Sequence, residues 1–198
     1  MGIAFHYPTG STPLDPDEVA GLIPGHVATQ GQLNEWELAN IIEGQKWAFN
    51  PRRKSHPDLL SADFMKALHK RMFDQTWKWA GTFRKTEKNI GVAPEYIAIR
   101  LKDLCDDIKA QLEYKTWPPD EIAARFHHRL VFIHPFPNGN GRHSRLMTDL
   151  LLARLAQPRF TWGADDLVAE STARRRYIDA LRKADAKDYS ALFTFVRS

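Results

Sequence analysis

This 198-residue sequence predicts an all-α domain carrying one small β-hairpin, on three grounds. Apolar residues recur at helical spacing in segment after segment, helix caps and prolines stand at the segment ends, and a single stretch shows the two-residue alternation of a strand. The composition, 43% hydrophobic and 26% charged, is that of a globular chain able to build one substantial core.

The elements follow in order. Residues 1 to about 30 are rich in Gly, Pro, Thr and Asp and read as an irregular arm wrapped on the domain. Trp36, Leu38, Ile41, Ile42 and Trp47 predict an amphipathic helix ending near Asn50-Pro51. Ser61 is placed to cap a second helix, with Phe64, Leu68, Met72 and Phe73 on one face, running to Trp77 or Trp79. Gly81 to Pro94 offers only short alternation at Phe83, Ile90 and Val92, which predicts the hairpin. Leu101, Leu104, Cys105, Ile108 and Leu112 then repeat at helical spacing up to Trp117-Pro118-Pro119. A further helix starts at or beside Asp120 and runs through Ile122, Phe126 and Leu130 into His134, where Pro135 and Pro137 stop it. Helices over about Gly139 to Leu155, Ser171 to Ala184 and Tyr189 to Val196 complete the chain.

Several function classes fall away. One cysteine, Cys105, cannot form an intramolecular disulfide, and its place on an apolar face reads as core. No run is long enough to span a membrane, and Met1 to Pro13 lacks both a basic region and an apolar stretch for export, so a cytoplasmic protein is expected. A net charge of +4 spread along the chain does not favour nucleic acid, and Arg174-Arg175-Arg176 fits a solvated helix face.

The chemistry concentrates in His134-Pro135-Phe136-Pro137-Asn138-Gly139-Asn140-Gly141-Arg142-His143-Ser144-Arg145. A turn containing Gly139 and Gly141 lets backbone N–H groups face an anion, and the apolar pattern resuming at Leu146 makes that turn the mouth of a helix, where phosphate binds. Arg142 and Arg145, three apart, share a helix face and add permanent charge. His134 is the acid-base group beside them. A P-loop spacing is missing, the adjacent His127 and His128 point to different faces rather than to one zinc ion, and Ser144 sits in no nucleophile elbow.

This segment resembles the Fic-domain signature, His-x-Phe-x-Asp/Glu-Gly-Asn-Gly-Arg-x-x-Arg, at every specified position but Asn138. Trp79-Ala80-Gly81-x-Phe83-Arg84 with Ile90-Gly91 resembles the family's flap, and Tyr177 with Ala180-Leu181-x-x-Ala184-Asp185-x-x-Asp188-Tyr189 resembles its C-terminal helices. The Glu-x-x-Asn-Ile and Trp pattern nearer the N-terminus is similar to the bacterial subgroup called mobile mystery protein B. The resemblance implies a Fic fold over residues 31–198, preceded by the arm of residues 1–30.

It also implies transfer of AMP from ATP to a Ser, Thr or Tyr hydroxyl of a target protein. His134 would be the general base, and Asn138 to Gly141 with the Asn140 amide would form the anion site. Arg142 and Arg145 would grip the β- and γ-phosphates. Ile90 and Gly91, on the flap that pairs with the target, would also contact the nucleotide, and Tyr177 and Asp185 would line the adenine pocket. The family places a Mg²⁺-binding carboxylate where this chain has Asn138, a weaker ligand for a hard cation. Glu43-Gly44 partly matches the family's inhibitory Ser/Thr-x-x-x-Glu-Gly/Asn element, with Ala39 in place of the hydroxyl residue. Glu43 is therefore the candidate inhibitory residue, on a helix over about 33–49. Two other functions stay open: a Doc-like phosphotransferase toxin, against which Gly141 speaks, and a nucleotide-binding regulatory module with little turnover. A homodimer or an antitoxin-like partner stays open as well.

Overall fold

The computed structural model describes residues 10–50, 58–164, 167 and 171–198. Residues 1–9 of the expected arm, and Pro51 at the expected end of the first long helix, lie outside the described residues.

Eight α-helices follow among these residues: α1 (Pro16–Val19), α2 (Gln30–Ala48), α3 (Ala62–Phe73), α4 (Ile97–Glu113), α5 (Pro119–Ile133), α6 (Asn140–Arg154), α7 (Thr172–Asp185) and α8 (Ser190–Val196). Local chemistry accounts for their starts. Thr29 and Gln32 form a capping box for α2, and the Ser61 and Ser171 hydroxyls accept the N–H groups of Phe64 and Arg174 to cap α3 and α7. Pro119 occupies the first turn of α5, where its missing N–H costs nothing.

Helices α5 and α6 form the centre, with a core on either side. One core, built on Leu68, Met72, Leu101, Leu104, Ile108, Phe126 and Met147, joins them to α2, α3 and α4. The other, built on Ala124, Leu152, Tyr177, Ala180, Leu192 and Phe195, joins them to α7 and α8. The loop between α5 and α6 is thereby gripped by the whole domain.

Three expectations change. Helix α3 stops at Phe73, short of Trp77 and Trp79, because Asn40 of α2 captures the chain after it. Its side chain donates to the Arg71 carbonyl and accepts the Gln75 N–H at 3.0 Å and the Thr76 hydroxyl. Trp77 then forms an isolated antiparallel bridge with Leu22 of the arm.

The segment expected as a hairpin is a loop with no strand ladder. Its two arms bond to the α5–α6 connection instead, Arg84 N–H to the Pro135 carbonyl and Val92 N–H to the Ile133 carbonyl. The buried Arg84 guanidinium replaces the cross-strand bonds, donating to the carbonyls of His134, Thr86 and Val92.

The third change concerns α2, whose buried face is Leu33, Glu37, Asn40, Gly44 and Ala48. Trp36, Leu38 and Ile42, which the apolar pattern turned inward, are exposed, Leu38 at 58%. Polar partners waiting at the turn after α3 and at the α6 loop outweigh the apolar count on this helix.

Candidate active site

His134 ends α5 in the left-handed conformation, φ 54° and ψ 60°. Pro135 disfavours the right-handed helical conformation at the residue before it, so the helix stops and the ring turns out of it. The strained geometry is held on both sides, its N–H by the Leu130 carbonyl and its own carbonyl by Arg84 Nε at 2.7 Å. Burial pushes the imidazole down to about 4, against the opposing pull of the Val131 backbone. The ring is therefore neutral near pH 7. Nδ1 forms no full hydrogen bond, while Nε2 lies 2.9 Å from the hydroxyl of Thr12.

The loop beyond His134 is rigid for identifiable reasons. Phe136 is fully buried and stacks on His69, with ring centroids 3.7 Å apart. His69 Nδ1 accepts the Gly81 N–H, so its Nε2 carries the proton and donates to the Asn138 carbonyl at 3.1 Å. Burial holds His69 well below the ordinary histidine range, which keeps that tautomer neutral. Asn140 closes a two-point bond with the Phe136 backbone, accepting its N–H at 2.9 Å and donating to its carbonyl at 2.7 Å. Gly139 has φ +77°, and a Cβ there would come within 2.5 Å of the Phe73 ring. No other residue fits this turn.

Helix α6 begins at once, and among the described residues no side chain caps it. Its first N–H groups have no partner inside the helix, and Gly139, Asn140 and Gly141 line a cavity of about 590 Å³. A Cβ on Gly141 would meet nothing closer than Arg145 Nη1 at 3.7 Å. Packing does not require glycine there, and its bare backbone keeps the mouth of the cavity open to an anion.

The cavity also brings together His134, Asn138, Arg142, Arg145, Ile90, Gly91, Tyr177 and Asp185, which lie far apart in the chain. Its volume is that of a small-molecule site. The half-buried Arg145 sets its guanidinium beside the Tyr177 ring, and the Tyr177 hydroxyl bonds His127 Nε2 at 2.8 Å. Asp185 pairs with His128 Nε2 at 2.8 Å at the cavity's edge. His127 and His128 thus support the two pocket residues from behind, on different faces of α5. Gly91 presses on the end of α5 so closely that a Cβ would lie 2.8 Å from His134 Cβ.

Two expectations about individual residues are corrected. Glu43 is not at the site: it is exposed and pairs with Lys46 one turn along α2, because the face that α2 turns inward passes through Gly44 rather than its neighbour. Glu37 occupies the place instead. It lies 2.6 Å from Arg142 Nη1 and also accepts the Trp77 indole N–H. The Asn140 side chain is fully used by Phe136 and so braces the loop, leaving only its backbone toward the cavity.

Thr12 and Arg174, which the sequence reading left out of the site, also line the cavity, and the contacts of Thr12 and Glu37 cross more than a hundred positions of sequence. The signal available for Glu37 was the Glu37-x-x-Asn40-Ile41 pattern, whose two polar residues share the buried face of α2.

The described residues do not make a Mg²⁺ site on their own. Among the described residues no cluster of three or more His, Cys, Asp or Glu could hold a metal. The Asn138 Oδ1 already accepts the Gly139 N–H at 2.6 Å and faces Arg142.

The class that the fold and cavity define is a helical domain that gathers a helix N-terminus, two arginines and a neutral histidine around one cavity. Residues 59–152 match the model of the Fic/DOC family, and the chain carries a Fic/DOC family domain. It is 31% identical over 148 residues to protein adenylyltransferase fic-1 of Caenorhabditis elegans, covering 72% of this chain and 27% of that protein. With protein adenylyltransferase Fic of Nematostella vectensis it shares 27% identity over 169 residues, 83% of this chain and 38% of that one. The chain thus spans well under half the length of these curated relatives. A solved fragment of Fic-1 from C. elegans superposes with a TM-score of 0.65 at 26% identity, covering 91% of this chain and 51% of the fragment. A Bartonella tribocorum BepC structure with bound AMPPNP shares the fold, with a TM-score of 0.67 at 18% identity over 92% of this chain and 97% of that one. No helix among the described residues is long and apolar enough to cross a membrane.

Proposed function

We propose that this chain transfers AMP from ATP to a Ser, Thr or Tyr hydroxyl of a protein. One observation carries the reading: a single cavity is lined by a neutral histidine, an uncapped helix N-terminus and two arginines. In this reading His134 Nε2 takes the proton of the attacking hydroxyl. The hydroxyl oxygen bonds to the α-phosphorus, the bond to the β-phosphate oxygen breaks, and pyrophosphate leaves. Backbone N–H groups of the first turn of α6 stabilise charge on the α-phosphate, and Arg142 and Arg145 neutralise the leaving group. Tyr177 and Asp185 receive the nucleoside, and the loop through Ile90 and Gly91 seats the target segment. Among the described residues no side-chain cluster holds a cation by itself, and these proton and phosphate contacts all come from the chain's own groups.

The relatives named as protein adenylyltransferases, and the open backbone at Gly141, support AMP transfer over phosphate transfer. The Glu37-x-x-Asn40-Ile41 pattern supports placement in the mobile mystery protein B subgroup. Helix α2 restrains the site through Glu37, which holds Arg142. Incubation with ATP and cell lysate tests the whole: His134-dependent transfer of an α-phosphate label supports the reading. Transfer of a γ-label would replace it with phosphotransfer, and nucleotide binding without transfer would replace it with a regulatory module.

A further inference from the structure

The geometry points to Thr12 as an acceptor for nucleotidyl transfer within its own chain, making the N-terminal arm a self-modification site. This rests on the nucleotidyl-transfer reading above and names one substrate for it. Thr12 is buried, and its hydroxyl meets His134 Nε2 at 2.9 Å across more than a hundred residues of sequence. Its carbonyl accepts the Asn138 amide at 3.3 Å, directly beside the turn that opens α6. A proton donor on a general base, next to an anion-binding helix mouth, is the arrangement an acceptor hydroxyl needs.

The seat is built from several elements, so Thr12 does not rest there by one contact. On one side of it, Ser11 is held twice, its carbonyl by Asn89 of the flap loop and its hydroxyl by Arg174 of α7. On the other side, Lys88 reaches the Pro13 carbonyl and binds Asp15 at 2.9 Å and Glu18 at 2.6 Å, its side chain only 3% exposed. Thr86 adds a hydrogen bond to Asp15. Gly10 lies against Ile178 so closely that a Cβ would come within 2.6 Å. The loop that would seat a target segment therefore holds residues 11–15 of the same chain.

Room for the donor separates an acceptor from a plug. The cavity of about 590 Å³ is the one that remains with Gly10 to Leu14 in place, and it extends past Thr12 to Arg142, Arg145, Tyr177 and Asp185. A nucleoside triphosphate fits such a volume beside the arm. The step balances with ATP as co-reactant: the Thr12 oxygen bonds to the α-phosphorus, its proton passes to His134 Nε2, and pyrophosphate departs.

The test uses the full chain with α-phosphate-labelled ATP, alone and with lysate, in the native sequence and in Glu37→Gln, where the restraint on Arg142 is lifted. Peptide mass spectrometry should place AMP on Thr12, with a labelled fraction per molecule that does not change over a hundredfold dilution. Thr12→Ser should keep the label, and Thr12→Val, which preserves shape, should lose it, as should His134→Ala. His134-dependent labelling of other proteins with Thr12 unmodified would overturn this inference and leave the proposed function standing. Labelling of Thr12 whose rate rises with protein concentration would overturn the intramolecular seat. No transfer to any acceptor in either background would remove both.

Discussion

Glu37 and Arg142 form a half-dry ion pair across the mouth of the cavity, Oε2 to Nη1 at 2.6 Å, while the other Glu37 oxygen takes the Trp77 indole N–H at 2.7 Å. The carboxylate's side chain is 7% exposed and the guanidinium's 20%. A phosphate arriving at Arg142 has to compete with a carboxylate already fixed by a second bond. Glu37→Gln keeps an acceptor for Trp77 and removes the competing charge. ATP affinity should rise about tenfold, some 1.4 kcal/mol, by titration calorimetry. Thermal stability should fall, since Arg142 loses a partly buried partner. An unchanged dissociation constant would show that Glu37 restrains nothing.

Asn138 is a bracket for the loop, accepting from Gly139 and donating to the Thr12 carbonyl. Asn138→Asp retains the first bond and turns the second into a repulsion between oxygens, while supplying the charge that a hard cation prefers. The variant should bind ATP more tightly in Mg²⁺ than in EDTA, by a factor larger than for the native chain. It should also loosen the arm, read as faster proteolysis near Thr12. Equal Mg²⁺ dependence in both proteins would dismiss the idea that the amide weakens metal use.

Four of the buried histidines make the fold sensitive to acid. Burial lowers His127 and His143 to about 3 and His134 to about 4, and holds His69 well below its ordinary value. The unfolded chain takes protons near pH 6.5 where the folded chain does not, so their contribution is complete above about 6.5 and lost as pH falls toward the folded values. Each group adds a slope of roughly 1.4 kcal/mol per pH unit inside that window. Urea midpoints should drop steeply between pH 6.5 and 5. His134-dependent transfer should show no acid limb of its own in the range where the protein stays folded, because burial keeps that ring neutral down to about 4. A flat midpoint across that range would mean that these rings are hydrated in solution.

The helices were legible because caps, prolines and apolar spacing are local signals. Ser61, Ser171 and Pro119 mark starts that follow from a few neighbouring residues. The loop from His134 to Arg145 was legible for the same reason, being one continuous stretch whose residue types carry their chemistry. What could not be read depended on distant partners. The inward face of α2 is chosen by Arg142, Trp77 and the turn after Phe73, which favour Glu37 and Asn40 over Leu38 and Ile42. The hairpin failed because one arginine, Arg84, bonds the loop to His134 in place of a strand ladder. Thr12 had no signal at all, since a single threonine in a polar arm acquires meaning only where the chain returns to His134.

Asp149 offers a test of the electrostatics around Arg145. Burial raises its carboxyl to about 6, opposed by the Trp162 indole N–H, which it accepts at 3.1 Å, and by Arg159 and Arg145. Since the folded value lies above that of the unfolded chain, the favourable contribution of the protonated form is full below about pH 4 and lost as pH rises through about 6. At pH 8 the ionised group costs roughly 3 kcal/mol by the same arithmetic. Asp149→Asn keeps an oxygen for Trp162 and should raise stability at pH 8 by up to that amount, with the gain shrinking to nothing near pH 4. Removal of a negative charge beside Arg145 should at the same time strengthen ATP binding several-fold at pH 8. A stability difference that is the same at both pH values would place Asp149 in water and remove its influence on the phosphate site.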